Sequence, residues 1–190
     1  FIKGTSATAT TAEAIGNYPT EFTASAPSGS YNELTPPSGQ TPHYLIGNNS
    51  QVTITAAYPT TVVSTTETFT VQDDQTTDAN YKASDLMMVT PISHVKNSEV
   101  INLPFEHKMA KLIISAIGDP GVTMDETITL GSTTDAGNGT GVYRTADIAV
   151  ENGDFKAAFN YETNTGLSNL GSIVMTNGGA VLIPPQTVTT

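Results

Sequence analysis

The sequence predicts an all-β sandwich, and three observations carry that reading. Apolar residues fall in short runs, many of them alternating with polar ones. The runs are closed by Gly, Pro or Asn-Gly pairs. Thr, Val, Ile and Tyr, which fit a pleated surface, are abundant, and helix propensity is low along most of the chain. Short strands at this spacing, without a convincing helix, build sandwiches.

Taken in order, residues 1–20 are small and polar, with Ile15 as their firm apolar anchor. They read as a flexible or exchangeable start, or as an edge strand. Residues 21–27 alternate and suit a short strand, and residues 26–42 are too dense in Pro, Gly and Ser to be anything but loop. The run 51–58 puts Val52, Ile54 and Ala56 on one face and Thr53 and Thr55 on the other, which predicts a strand with a core side and a wet side. Pro59 stops it. Residues 61–71 form a second candidate, interrupted by the polar stretch Ser64 to Thr66, and 72–80 read as loop. Short strands are expected at 85–91 and 99–103, around a turn-like 93–98.

Residues 104–117 fit two descriptions. Met109, Leu112, Ile113 and Ala116 fall at helical spacing after Pro104, with Gly118 placed to cap. Leu112, Ile113 and Ile114 are also consecutive, as in a strand buried on both faces. Beyond the turn at 118–121, strands are expected at 126–131, 141–150, 154–162, 172–176 and 180–185, with Asn152-Gly153 as a hairpin signal. Leu86, Phe105, Leu112 and Ile114 are the expected core residues. No internal repeat or clean linker is visible.

Composition removes several functions. Only 7 Lys and Arg stand against 18 Asp and Glu, a formal net charge of -11, and the basic residues are scattered. Such a chain cannot track a phosphate backbone, so no nucleic acid is expected as a partner. The absence of cysteine excludes disulfides, thiolate catalysis and Cys-based metal sites. No apolar run reaches the length of a membrane-spanning helix. The chain begins at Phe1 rather than Met, which reads as a processed or trimmed form.

Candidate chemistry is sparse. His43, His94 and His107 lie in separate segments without metal-ligand spacing. His107 reads as a structural histidine at a strand start rather than a ligand or base. Asp73, Asp74, Asp78 and Asp85 could offer carboxylate oxygens to calcium, but their spacing is not that of an EF-hand, and they read as a solvated loop. The stretch 135–141 lacks the Lys and following helix of a phosphate loop. No G-x-S-x-G elbow and no frame for paired glycosidase carboxylates appears. There is no Trp for a sugar platform, and Tyr44, Tyr58 and Tyr81 read as strand-end packing. The Asn48 and Asn138 sequons carry little weight in a bacterial product. No catalytic, cofactor-binding or metal residues are therefore expected, and no enzyme.

One ordered set of residues carries a resemblance. Phe69, Val71, Gln75 and Tyr81 precede Ser84-Asp85-Leu86-Met87, and then come Phe105, His107, Met109, Ala110, Lys111 and Leu112. Residues 55–62 (TAAYPTTV) stand upstream and residues 180–188 (AVLIPPQTV) downstream. This order resembles the fimbrillin family, the subunits of type V pili and related surface fimbriae of Bacteroidales. The resemblance implies tandem transthyretin-like Greek-key β-sandwiches, and makes a strand the more natural form of 104–117. It divides the chain into an exchangeable segment at 1–20, an N-terminal sandwich at 21–178, and the start of a second, truncated sandwich at 179–190. It further implies a cell-surface protein, exported through the outer membrane as a lipoprotein precursor and trimmed by a protease. The implied function is that of a fimbrial subunit that assembles by β-strand addition, its partners being neighbouring subunits and a host or bacterial receptor. The alternative is a surface-exposed adhesin or carbohydrate-binding lipoprotein module.

Overall fold

The computed structural model describes residues 2–6, 22–24, 32–35, 38–39, 51–59, 68–95, 100–131, 141–151 and 154–187. In chain order its elements are β1 (Ile2–Ser6), β2 (Thr23–Ala24), β3 (Leu34–Thr35), β4 (Gln51–Tyr58), β5 (Thr68–Thr70), α1 (Asp78–Ala83), β6 (Met87–Val95), β7 (Glu106–His107), β8 (Ala110–Ile113), β9 (Thr127–Gly131), β10 (Val142–Glu151), β11 (Asp154–Ala157), β12 (Leu167–Thr176) and β13 (Ala180–Ile183). The described chain is thus all-β apart from one short helix. Two compact units emerge: Phe1–Thr65 with Met88–Glu106 and Val150–Lys156, and Thr66–Met87 with His107–Ala149 and Ala157–Thr190.

The first unit holds a sheet of order β1-β4-β6-β7 and the small β2-β3 pair. β4 is one of its interior strands, with β1 antiparallel along one side from Ile2↔Ala56 to Ser6↔Val52. Thr55, expected on a wet face, is buried, as are its neighbours Ile54, Ala56 and Ala57. Consecutive burial means that both faces of β4 are covered, as in a strand interior to a fold. Residues 100–105 form no strand, and Val100 is 83 % exposed. β-propensity needs a neighbour to pair with, and no pairing holds this run.

The second unit contains β10 as far as Ala149, paired with β12 and with β5, β9 paired in turn with β12, and the separate pair β13-β8. The registers of β10 with β12 and β5, of β12 with β9, and of β13 with β8 are all antiparallel. Its core includes Phe69, Val71, Leu86, Met109, Ile148, Ile173, Met175 and Val181. Of the four core residues expected from sequence, Leu86 is fully buried, while Phe105, Leu112 and Ile114 are only half-buried. Residues 110–113 are strand, not helix, but burial alternates along β8 and Ile113 is 67 % exposed, so the strand is not buried on both faces. Gly131 ends β9 at φ +80, where a Cβ would stand 2.7 Å from the Gly171 carbonyl, so the position accepts no side chain without displacement. Ala180–Ile183 pairs with Ala110–Ile113 in this unit.

Four side-chain amides act as strand mimics within this unit. Each presents a C=O and an N–H to the main chain, as a neighbouring strand would. Gln75, buried, accepts from Leu182 N–H at 2.9 Å and donates to Leu182 C=O at 2.8 Å. Gln186 accepts from Tyr143 N–H at 2.8 Å and donates to its C=O at 3.0 Å. Asn164 treats Thr187 the same way at 2.9 and 2.8 Å, and Asn177 grips Ala116 at 2.9 and 3.2 Å. Three of the four hold the chain from β13 onward. Of these, the Gln75 clamp satisfies the Leu182 N–H and C=O on β13 itself.

The segment between β5 and α1 is organised locally. Asp74 Oδ1 accepts from Thr76 N–H at 2.9 Å and from its hydroxyl at 2.6 Å. These bonds, the hydroxyl's first, hold the Asp74 carboxyl below its ordinary range. Thr77 caps α1, accepting from Asn80 N–H at 3.2 Å, and Ser84 Oγ ties the end of α1 to Gln72 N–H at 2.9 Å.

Two outcomes are expected. Gln75→Ala strips both partners from a main-chain pair in the core and should lower unfolding free energy by about 2–5 kcal/mol in urea titrations; a loss under about 0.5 kcal/mol would mean the clamp is redundant. An NMR titration of Asp74 should give a midpoint below the usual aspartate value, and Thr76→Val should move it back up. Because the folded-state pKa is depressed, the turn's contribution is present above the unfolded-state value. It is lost as pH falls through the folded one.

Candidate functional site

Of the residues singled out as possible ligands or catalysts, the fold brings Asp85 and His107 into contact and distributes the other described ones among separate partners. His94 lies on β6 in the first unit and His107 on β7 at the start of the second unit's segment, while His43 is outside the described residues. The acidic residues go to separate partners. Asp73 faces Arg144, Asp74 holds Thr76, Asp78 pairs with Lys82 at 2.6 Å along exposed α1, and Asp85 Oδ1 meets His107 Nδ1 at 2.7 Å. The fold thus gives His107 a carboxylate partner 22 positions away in sequence. Among the described residues no three His, Cys, Asp or Glu side chains stand close enough to hold a metal ion. Residues 135–140 and Asn48 lie outside the described residues.

Among the described residues, β1 and β8 each leave one edge without a paired strand. β1 is the outermost strand of the β4 sheet, so it covers one edge of β4 and is itself an edge. β8 is paired with β13, and among the described residues its other edge carries no strand. Exposed aliphatic side chains follow in the chain from β8, Ile113, Ile117 at 91 % exposure, Val122 and Met124, interspersed with exposed Lys111, Ser115 and Asp119. Unpaired ladder groups beside exposed aliphatic side chains are what an added strand requires.

The second unit also carries an open depression of ≈ 500 Å³ lined by Asp73, Asp74, Arg144, Asn169, Ser172 and Val174, with Leu170 and Gly171. Arg144 lies on β10 between Val142 and Ala146, both buried, so the two-residue period assigns it to the core-facing row. Its side chain is 18 % exposed and its Nη1 lies 3.3 Å from Asp73 Oδ2. Its Nε is buried without an acceptor. Gly171 lies beside it: a Cβ there would stand 3.6 Å from Nε, in ordinary van der Waals contact. Register runs from Tyr143↔Leu170 to Thr145↔Ser168, and Asn169, between them on β12, adopts a left-handed φ of 56. Sequence reading passed over Arg144, although a lone cation within the apolar row of 142–148 was a visible signal.

Comparison with known proteins adds two findings. A solved structure from Bacteroides ovatus ATCC 8483, provisionally described as a cell adhesion protein, superposes with a TM-score of 0.63 at 15 % identity, covering 99 % of this chain and 68 % of that one. At that identity the likeness speaks for the fold. No curated protein matches the chain. The profile of the fimbrillin-like family matches residues 1–190, the whole sequence. The chain belongs to the fimbrillin-like family.

Proposed function

We propose that this chain is a structural subunit of a bacterial surface fimbria, joined to its neighbours by a β-strand added beside β4 in place of β1. Membership of the fimbrillin-like family over the full sequence supports the fimbrial role, and the cell-adhesion description of the B. ovatus protein agrees with it. The observation that carries the mode of assembly is the placement of β1. It is five residues long, lies at the edge, and pairs with one strand. Removing it would bare the edge of β4 without disturbing the β4-β6 pairing. A neighbour's extended segment can then replace the ladder bond for bond.

The role is structural rather than catalytic, and it belongs outside the cell. Partners are neighbouring subunits and a surface receptor. A lipoprotein precursor fits this route, because an assembling subunit must be held unpolymerised until it reaches the surface. Among the described residues no helix is long and apolar enough to cross a membrane.

The test uses the absence of native cysteine. Thr5 and Thr53 are direct partners across β1 and β4, within the Cα separation a disulfide needs. Thr5→Cys with Thr53→Cys should lock β1 in place when oxidised. The locked protein should stay monomeric and outside fibres, and reduction should restore incorporation. If the locked protein enters fibres as well as the parent does, exchange at β4 is wrong.

A further inference from the structure

We propose that the depression around Arg144 binds a neutral carbohydrate, engaged through a vicinal pair of hydroxyls. The site is built rather than incidental. A guanidinium has been admitted to the core-facing row of β10, between Val142 and Ala146, and its side chain is only 18 % exposed. The protein does not satisfy it in return. Nε has no acceptor, and the contact from Nη1 to Asp73 is 3.3 Å, longer than a good charge-assisted bond. Asp73 is itself 73 % exposed, so the pair lies open to a ligand at the rim. Left-handed Asn169, at the register position across from Arg144, is the kind of uncommon backbone state that collects at binding sites.

The chemistry of the lining selects the ligand class. One guanidinium stands among two carboxylates, Asp73 and Asp74, so the lining carries net negative charge and disfavours phosphate, sulfate or any acidic sugar. A donor and an acceptor lie side by side, about one hydrogen-bond length apart. A vicinal diol has oxygens at similar spacing, and each can both donate and accept. The Ser172 hydroxyl and Asn169 amide extend the polar rim, and Leu170 and Val174 offer apolar surface to the C–H face of a ring. The volume falls within the range of small-molecule sites, roughly 300–1,000 Å³.

No aromatic ring lines the depression, so a single site should bind weakly, in the millimolar range. Many copies on one fibre would multiply that into adhesion. This last clause rests on the fimbrial reading, whereas sugar binding by the isolated chain does not.

The experiment is an NMR titration of the purified full chain with methyl glycosides of the manno, gluco, galacto and fuco series and their N-acetylated forms. Acetate and inorganic phosphate serve as ionic probes. At least one glycoside should give saturable shifts centred on residues 73–74, 144 and 169–174. Those shifts should weaken at least tenfold in Arg144→Met and in Asp73→Asn. Should Arg144→Met fail to fold, Asp73→Asn, at an exposed position, decides the matter. Absence of shifts with every glycoside overturns the proposal. So do shifts with acetate or phosphate alone, or glycoside shifts that both variants leave unchanged. A chain that binds no sugar yet enters fibres defeats the carbohydrate site alone, and one that binds sugar but ignores the β1 lock defeats only the exchange mechanism.

Discussion

The structure of the second unit depends on the buried carboxamide of Gln75. Its two bonds to Leu182 connect residues 107 positions apart and complete main-chain pairing deep in the core. Desolvation makes this contact decisive. A buried N–H or C=O left without a partner costs about 1–3 kcal/mol, and here one side chain serves both groups. By contrast, Lys82–Asp78 is equally close but lies in water, where such pairs contribute a few tenths of a kcal/mol. Much of the neighbourhood follows from the buried clamp. Phe69 and Val71 pack on the strand that leads to it, Ser84 Oγ accepts from the Gln72 N–H beside it, and Leu86 fills the core behind the Ser-Asp-Leu turn.

The same residues explain why the family was visible in the sequence. Phe69, Val71, Gln75, Ser84 and Leu86 are buried, Asp85 pairs with His107, and the Leu-Ile-Pro-Pro-Gln segment supplies Leu182, Ile183, Pro184 and the Gln186 clamp. The motif records a folding solution. Strand positions 51–58, 127–131 and 142–151 were legible because alternation and Gly or Pro boundaries coincide there. Helix α1 was not, since it buries no residue and so leaves no apolar stripe; its Thr77 cap and Asp78–Lys82 spacing were the signals available. β12 begins at Leu167, ahead of the apolar run at 172–176, because pairing with β10 extends it through Ser, Asn and Gly that alone would suggest a turn. His107–Asp85 and Asp73–Arg144 were hidden for a simpler reason: spatial partners distant in sequence leave no spacing to read.

Assembly and recognition, on the reading above, draw on different physics. Strand exchange at β4 trades one full ladder for another, so its selectivity rests on register and on which side chains fit the covered faces. The Arg144 depression instead uses a few polar groups whose geometry is fixed by strands β10 and β12. A receptor contact of that kind can be weak and reversible while the fibre that presents it stays intact.

The amide clamps have a further consequence for how such a protein can change over time. Gln75, Gln186, Asn164 and Asn177 grip peptide groups, not side chains. The residues they hold, at 182, 143, 187 and 116, are therefore free of the clamp's chemistry and answer only to their own surroundings. Thr187 is exposed, and a change there would forfeit the 2.8 Å bond from its hydroxyl to the Tyr161 C=O while leaving the grip of Asn164 on its peptide groups in place. A side chain at such an outer position can in this way be exchanged while the amide beneath keeps its hold on the peptide groups.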